Sequence, residues 1–308
     1  MQNKIESSFL WILLLFAVLS LLFPEFFISC KALIPMGLGL IMFGIGINTS
    51  YSSFKEVLIR PTSILILILF RFIAMPFWAF LIAQTLHLNQ TATIGLLILG
   101  TAPGGTAANV MSYLSKSNVS LTVLLTFGST LFSPFLTPLL IYLFLHKTVA
   151  LNLGAMMMHI SIIILIPIGG GLIFSYFKSP LITKIKVYAP IFSILLIAAI
   201  LASLLAMNQQ RIFEFPLMLI IAVLVLNLLG YITGNFIAYL TNYDSLSRLA
   251  VSFDYGMFDA IVAMVICTTF FDKETAIPAV LISIIQNLTA PCLVRWRRVD
   301  KFKIENLA

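Results

Sequence analysis

Gly100-Thr-Ala-Pro-Gly-Gly-Thr-Ala-Ala-Asn109 interrupts an apolar run from about Thr91 to Leu114 that otherwise reads as one membrane-spanning helix. Pro103 has no N–H to donate, and Gly104 and Gly105 favour non-helical dihedrals, so a helix is expected to stop near Thr101 and restart near Thr106. The interruption leaves N–H and C=O groups open at the depth of the hydrocarbon core, where lipid cannot satisfy them. It is tolerated only inside protein or beside a polar cavity. Thr101, Ala102, Ala107 and Ala108 are small enough to admit a second backbone. A lone proline usually does no more than kink a spanning helix. Pro-Gly-Gly-Thr followed by Asn109 points instead to a broken helix whose exposed ends hold an ion or a substrate.

Working outward, the 308 residues are 61% apolar and only 9% charged. A soluble core of this size cannot hide so much apolar surface, so the chain is expected to be an all-α polytopic membrane protein. With no linker or charged segment of domain size, residues 1–308 read as one transmembrane domain. The run Phe9–Phe23 after Lys4 lacks a small-x-small cleavage site and is taken as an uncleaved first span. Cys30, Cys267 and Cys292 match no metal or redox spacing and are expected to be buried, inert thiols.

Ten apolar runs follow one another, at roughly 9–28, 33–50, 62–86, 91–115, 119–145, 150–177, 187–207, 215–241, 246–271 and 275–295. The net charge of +7 then becomes a topology signal, and no nucleic-acid partner is expected. With the N-terminus inside, thirteen of the 18 Lys and Arg fall on the inner side and four (Lys31, Lys147, Arg211 and Lys273) on the outer. The positive-inside rule therefore favours ten spans with both termini cytoplasmic, in what is expected to be a bacterial inner membrane.

The remaining basic residue, Arg71, falls in the middle of span 3, where a permanently charged guanidinium needs a carboxylate or an anion. Spans 8, 9 and 10 echo spans 3, 4 and 5. Pro216 opens span 8 as Pro61 opens span 3, and Asn227 stands near the place of Arg71. Span 9 is again interrupted, at Phe253-Asp254-Tyr-Gly256-Met-Phe258-Asp259-Ala260. Five spans per half imply two inverted repeats whose broken helices, spans 4 and 9, cross near the midplane. Asp254 and Asp259 are the only carboxylates deep in the apolar runs, and Thr122, Thr126, Ser129 and Ser133 form a hydroxyl stripe on span 5. Carboxylate, hydroxyl, amide and carbonyl oxygens suit a hard monovalent cation. The candidate ion ligands are Asn109, Thr122, Thr126, Asp254 and Asp259, and the residues expected at the crossover are Thr106, Ala108, Asn109, Gly256, Phe258 and Asn287. His159 in span 6 is expected to be a satisfied polar residue rather than a ligand.

Pro103-Gly-Gly-Thr-Ala-x-Asn109-Val-Met, Asn118-Val-x-Leu, Ser133-Pro-x-Leu-Thr-Pro138 and Gly44-Ile-Gly46 resemble, in order and spacing, the bile acid:sodium symporter family. The resemblance implies a panel (residues 9–50 and 150–207) and a core (61–145 and 215–295) that move past each other in an elevator-like alternating access. It also implies an organic anion as substrate: a bile acid, a steroid conjugate or a small organic acid, commonly carried with two sodium ions. Where that family has Glu-x-Gly-x-Gln-Asn in span 9, this chain has Asp254-Tyr-Gly256-Met-Phe258-Asp259, and a span 3 Gln is replaced by Arg71. Ala108 stands where Ser is common. The expectation is a transporter, not an enzyme, with no cofactor beyond a sodium ion. One sodium or a proton is the coupling ion, and Arg71 is a tethered cation in place of the second sodium. The competing reading is an uncoupled carrier, channel or sensor on the same scaffold.

Overall fold

Apolar side chains on every face and few internal charges make these segments helices that lipid can surround. The computed structural model describes residues 12, 15–16, 18–48, 61–145, 152–177, 180–207, 209 and 217–305, and its longer elements are α-helices throughout. In chain order these are α1 Pro24–Ser29, α2 Ile34–Asn48, α3 Pro61–Thr85, α4 Gln90–Thr101, α5 Ala107–Leu114, α6 Val119–Leu145, α7 Leu153–Tyr176, α8 Pro180–Met207, α9 Leu217–Leu240, α10 Ser245–Gly256, α11 Ala260–Phe270 and α12 Ile277–Glu305. Five stretches of helix among the described residues are long and apolar enough to cross a membrane: Pro61–Thr85, Val119–Leu145, Leu153–Tyr176, Leu217–Leu240 and Lys273–Val294. The protein is an all-α, multi-pass membrane protein. Expectations resting on Lys4, Lys55, Arg60, Lys147, Lys178, Arg211 and Pro216 lie outside the described residues.

Helix starts follow local chemistry. Pro61 opens α3, where its missing N–H costs nothing. Asn89 caps α4 by accepting from the Ala92 N–H at 2.8 Å, and Asn152 caps α7 by accepting from Ala155 at 3.0 Å. Asp244 caps α10 by accepting from the N–H groups of Leu246 and Ser247 at 3.0 and 3.4 Å.

Small residues set the closest helix contacts. α2 lies along α7 and α8, and a Cβ on Gly46 would come within 2.2 Å of the Ile168 carbonyl oxygen. Gly230 and Gly234 bring α9 onto α10, where a Cβ on either would meet the Tyr255 or Val251 carbonyl oxygen at 2.6 Å. Gly46→Ala is therefore expected to destabilise the protein by about 1–3 kcal/mol through overpacking. Gly169→Ala, with nothing within 4 Å of the added methyl, should be neutral or slightly stabilising. Thermal unfolding of the two variants in detergent checks the pair.

The cysteines divide. Cys267 is buried as expected, but Cys292 is exposed and Cys30 lies between. An apolar run buries a thiol only on the helix face that meets protein, and composition does not reveal that face. His159 is exposed and stands edge-on to the ring of Phe270 at 5.5 Å.

Candidate functional site: two helix breaks that meet

α4 ends at Thr101, Ala102 turns to extended backbone, and α5 restarts at Ala107. α10 ends at Gly256, Met257 is extended, and α11 starts at Ala260. The second break is thus narrower than the sequence suggests. Asp254 and Gly256 lie in the last turn of α10, and only Met257–Asp259 separate the two helices. Gly256 is needed for space, because a Cβ there would come within 2.3 Å of the Tyr231 ring.

The two breaks pair with each other. Gly104 and Phe258 form an antiparallel bridge, flanked by bonds from the Gly105 N–H to the Met257 carbonyl at 2.7 Å and from the Asp259 N–H to the Pro103 carbonyl at 2.9 Å. Ser129 Oγ on α6 accepts from the Gly104 N–H at 3.1 Å. Gln286 on α12 grips the Phe258 peptide from both sides, accepting from its N–H at 3.0 Å and donating to its carbonyl at 3.3 Å. These bonds satisfy, inside protein, peptide groups that the breaks open. Neither Gly104 nor Gly105 has a positive φ, so the expected dihedral freedom is not what selects glycine here. Contact does: a Cβ on Gly104 would meet Asp254 Oδ1 at 2.1 Å, and one on Gly105 would meet the Phe258 carbonyl oxygen at 2.6 Å.

An ionic cluster sits on this bridge. Arg71, on α3, is 1% exposed. Its Nη1 donates to the backbone carbonyl of Asp254 and lies 3.7 Å from Asp254 Oδ2, while its Nη2 donates to the Ala102 carbonyl at 3.3 Å. Its guanidinium carbon lies 5.2 Å from the centre of the Phe258 ring and 5.7 Å from that of Tyr255. Tyr255 donates its hydroxyl to the Leu67 carbonyl and so ties α10 to α3. One guanidinium therefore holds the carbonyl ends of both α4 and α10, the negative ends of two helix dipoles. On the other side of Asp254, Oδ1 accepts from Thr126 Oγ1 at 3.1 Å, and the same hydroxyl lies 3.4 Å from Asn109 Oδ1. Asn109, Thr126 and Asp254 thus present oxygens to one place, the donor set a hard monovalent cation takes.

The remaining candidates divide as follows. Asp259 caps α11, its Oδ1 accepting from the N–H groups of Ile261 and Val262, each at 3.2 Å. Thr106 stands half-buried at the start of α5 with no side-chain cap bond. Ala108 is buried with Phe253 and Met257 in a small apolar cluster. The Gly256 carbonyl accepts from Asn227 Nδ2 at 2.7 Å. Two candidates turn elsewhere. Thr122 Oγ1 pairs with Ser112 Oγ at 2.6 Å and with the Asn118 carbonyl, one helical turn short of Asp254. Asn287 donates to the Ser283 carbonyl of its own helix at 2.6 Å. Gln286, its neighbour, reaches the break instead. Sequence reasoning missed Gln286, whose signal was a second amide beside Asn287 in an apolar run.

A model of the sodium bile acid symporter family matches residues 35–215. YocS of Bacillus subtilis (strain 168), named an uncharacterized sodium-dependent transporter, is 32% identical over 295 residues, spanning 96% of this chain and 92% of its own length. The probable sodium/metabolite cotransporter BASS1, chloroplastic, of Oryza sativa subsp. japonica is 27% identical over 264 residues, which is 85% of this chain and 65% of that one. BASS5, chloroplastic, of Arabidopsis thaliana, also named a probable sodium/metabolite cotransporter, is 25% identical over 300 residues, covering 92% and 73% of the two chains.

Proposed function

The chain belongs to the sodium bile acid symporter family, and from that membership we propose that it is a secondary transporter moving a carboxylate- or sulfate-bearing organic solute by alternating access, coupled to one sodium ion. The observation that carries the reading is the joining of Asp254, Thr126 and Asn109 oxygens to the bridge between the two broken helices. A cation bound there contacts α5, α6 and α10 at once, so its arrival and departure bear directly on the geometry of the break. Arg71 takes the place of a second sodium. Its guanidinium bonds the Ala102 and Asp254 carbonyls, which end α4 and α10 and are the kind of oxygens an unwound helix offers a cation. Ten spans in two inverted repeats, with residues 9–50 and 150–207 as panel and 61–145 and 215–295 as core, supply the moving parts. Both termini lie in the cytoplasm and the membrane is a bacterial inner membrane.

Melting temperatures in sodium, potassium and lithium chloride between pH 5 and 8, for the wild type and for Asp254→Asn, test this. A ligand that binds only the folded protein at a hundredfold excess over its Kd stabilises by about 2.7 kcal/mol. The expected result is a sodium-specific rise that Asp254→Asn loses. Counterflow in proteoliposomes then separates carrier from channel, because preloaded substrate accelerates uptake only through a carrier. A melting temperature indifferent to all three cations and to pH would leave the uncoupled reading in place.

A further inference from the structure

Among the described residues the buried ionic side chains are Arg71, Asp254 and Asp259, which are 1%, 1% and 7% exposed. With each of them ionised their charges sum to −1, and the one sodium ion of the proposed coupling would bring the crossing to zero. A solute that then adds a net negative charge would leave an uncompensated charge inside a membrane protein, which is costly. Arg71 lies 3.7 Å from the Asp254 carboxylate, so the remaining negative charge is that of Asp259. It sits in a sensitive place. Its N–H bonds the Pro103 carbonyl, so it lies beside the Gly104–Phe258 bridge, and its carboxylate already satisfies the N-terminus of α11. A positive group on the solute has a counter-charge there. A solute anion has a like charge there.

Resting on the sodium-coupled reading above, we propose that the transported solute is a net-neutral zwitterion, a carboxylate carrying its own ammonium group, and that Asp259 selects it over the corresponding monoanion. The solute's carboxylate then travels with a charge of its own to balance it, and the sodium balances the protein.

Matched pairs with one carbon skeleton test this: L-2-amino acids against the corresponding 2-hydroxy acids, from alanine and lactate through leucine and phenylalanine. Melting temperatures and uptake into proteoliposomes are measured in sodium and in choline, at pH 7.5 and 5.5, for the wild type and Asp259→Asn. Asn caps a helix nearly as well as Asp, so α11 should persist in the variant. For at least one pair the amino acid is expected to bind the wild type in sodium at least about tenfold more tightly than its hydroxy acid, as a close like charge demands. Asp259→Asn should erase or invert that preference. Hydroxy acids that bind the wild type as well as or better than the amino acids would overturn the proposal. Hydroxy-acid binding that appears only at pH 5.5 supports the proposal when Asp259→Asn shows it at both pH values, because protonation and the substitution remove the same charge, and overturns it when Asp259→Asn keeps the pH dependence. If sodium alone raises the melting temperature but no amino acid of the series adds to it, the zwitterion is wrong and the sodium site stands. If sodium has no effect, the underlying reading has failed first.

Discussion

Gly104→Ala is expected to abolish the sodium-specific rise in melting temperature and sodium-driven uptake, and to lower the melting temperature in every salt. The added methyl would lie 2.1 Å from Asp254 Oδ1 and 3.0 Å from its Cγ, so one of the two must move. The backbone of Gly104 has little room to retreat, because it bridges Phe258 and donates its N–H to Ser129. The Asp254 carboxylate must therefore swing. One of its oxygens holds Thr126 and the other faces Arg71, so any swing breaks at least one of these contacts. Uncoupling a buried ion pair costs about 3–5 kcal/mol, and the bonds Arg71 keeps to carbonyl oxygens place the expected loss toward the lower end. Gly105→Ala is the informative control. Its methyl would collide with the Phe258 carbonyl oxygen at 2.6 Å, which strains the bridge without touching a proposed sodium ligand. Both variants should melt earlier, but only Gly105→Ala should keep a sodium-specific shift. Equal sodium responses in the two would remove Asp254 from the ion site.

The contrast between these neighbouring glycines marks how far sequence alone reaches. Pro103 and the two glycines place the first break within a residue of its observed ends, because a missing N–H acts locally. That a second break answers it follows from Asp254, Gly256 and Asp259 lying in an apolar run. Why each residue is there is a tertiary matter. Gly104 is small for a carboxylate 150 positions away, and Gly256 is small for the ring of Tyr231. The hydroxyl stripe of α6 is legible as a stripe, yet its members part company. Thr126 meets Asp254 and Ser129 meets Gly104, while Ser133 bonds the Thr130 carbonyl of its own helix. Periodicity gives the face and leaves the partners to be set by helix crossing. Gln286 and Asn287 show the same limit, since adjacent residues on a helix point some 100° apart and only one can reach the break.

The largest single effect is expected at Arg71. Arg71→Ala leaves the Asp254 carboxylate without its cation and the Ala102 and Asp254 carbonyls without their donor, all in a buried place. The direct cost is about 3–5 kcal/mol in a sodium-free buffer. Sodium should then do what the guanidinium did, so the variant's melting temperature should rise more steeply with sodium than the wild type's. Arg71→Gln sharpens the test, because its amide oxygen adds a neutral ligand where the charge was. Its uptake should depend on sodium with a Hill coefficient rising from about one toward two, the behaviour of two bound ions. Arg71→Lys keeps the charge but not the planar fork that reaches two carbonyls together. It should lose stability while keeping the wild-type sodium dependence. The three variants thus separate charge from geometry: steeper sodium dependence should appear in Gln and Ala and be absent in Lys. If Arg71→Ala and Arg71→Gln instead transport with wild-type sodium dependence, the guanidinium occupies no cation's place. Arg71 is then a structural partner of Asp254.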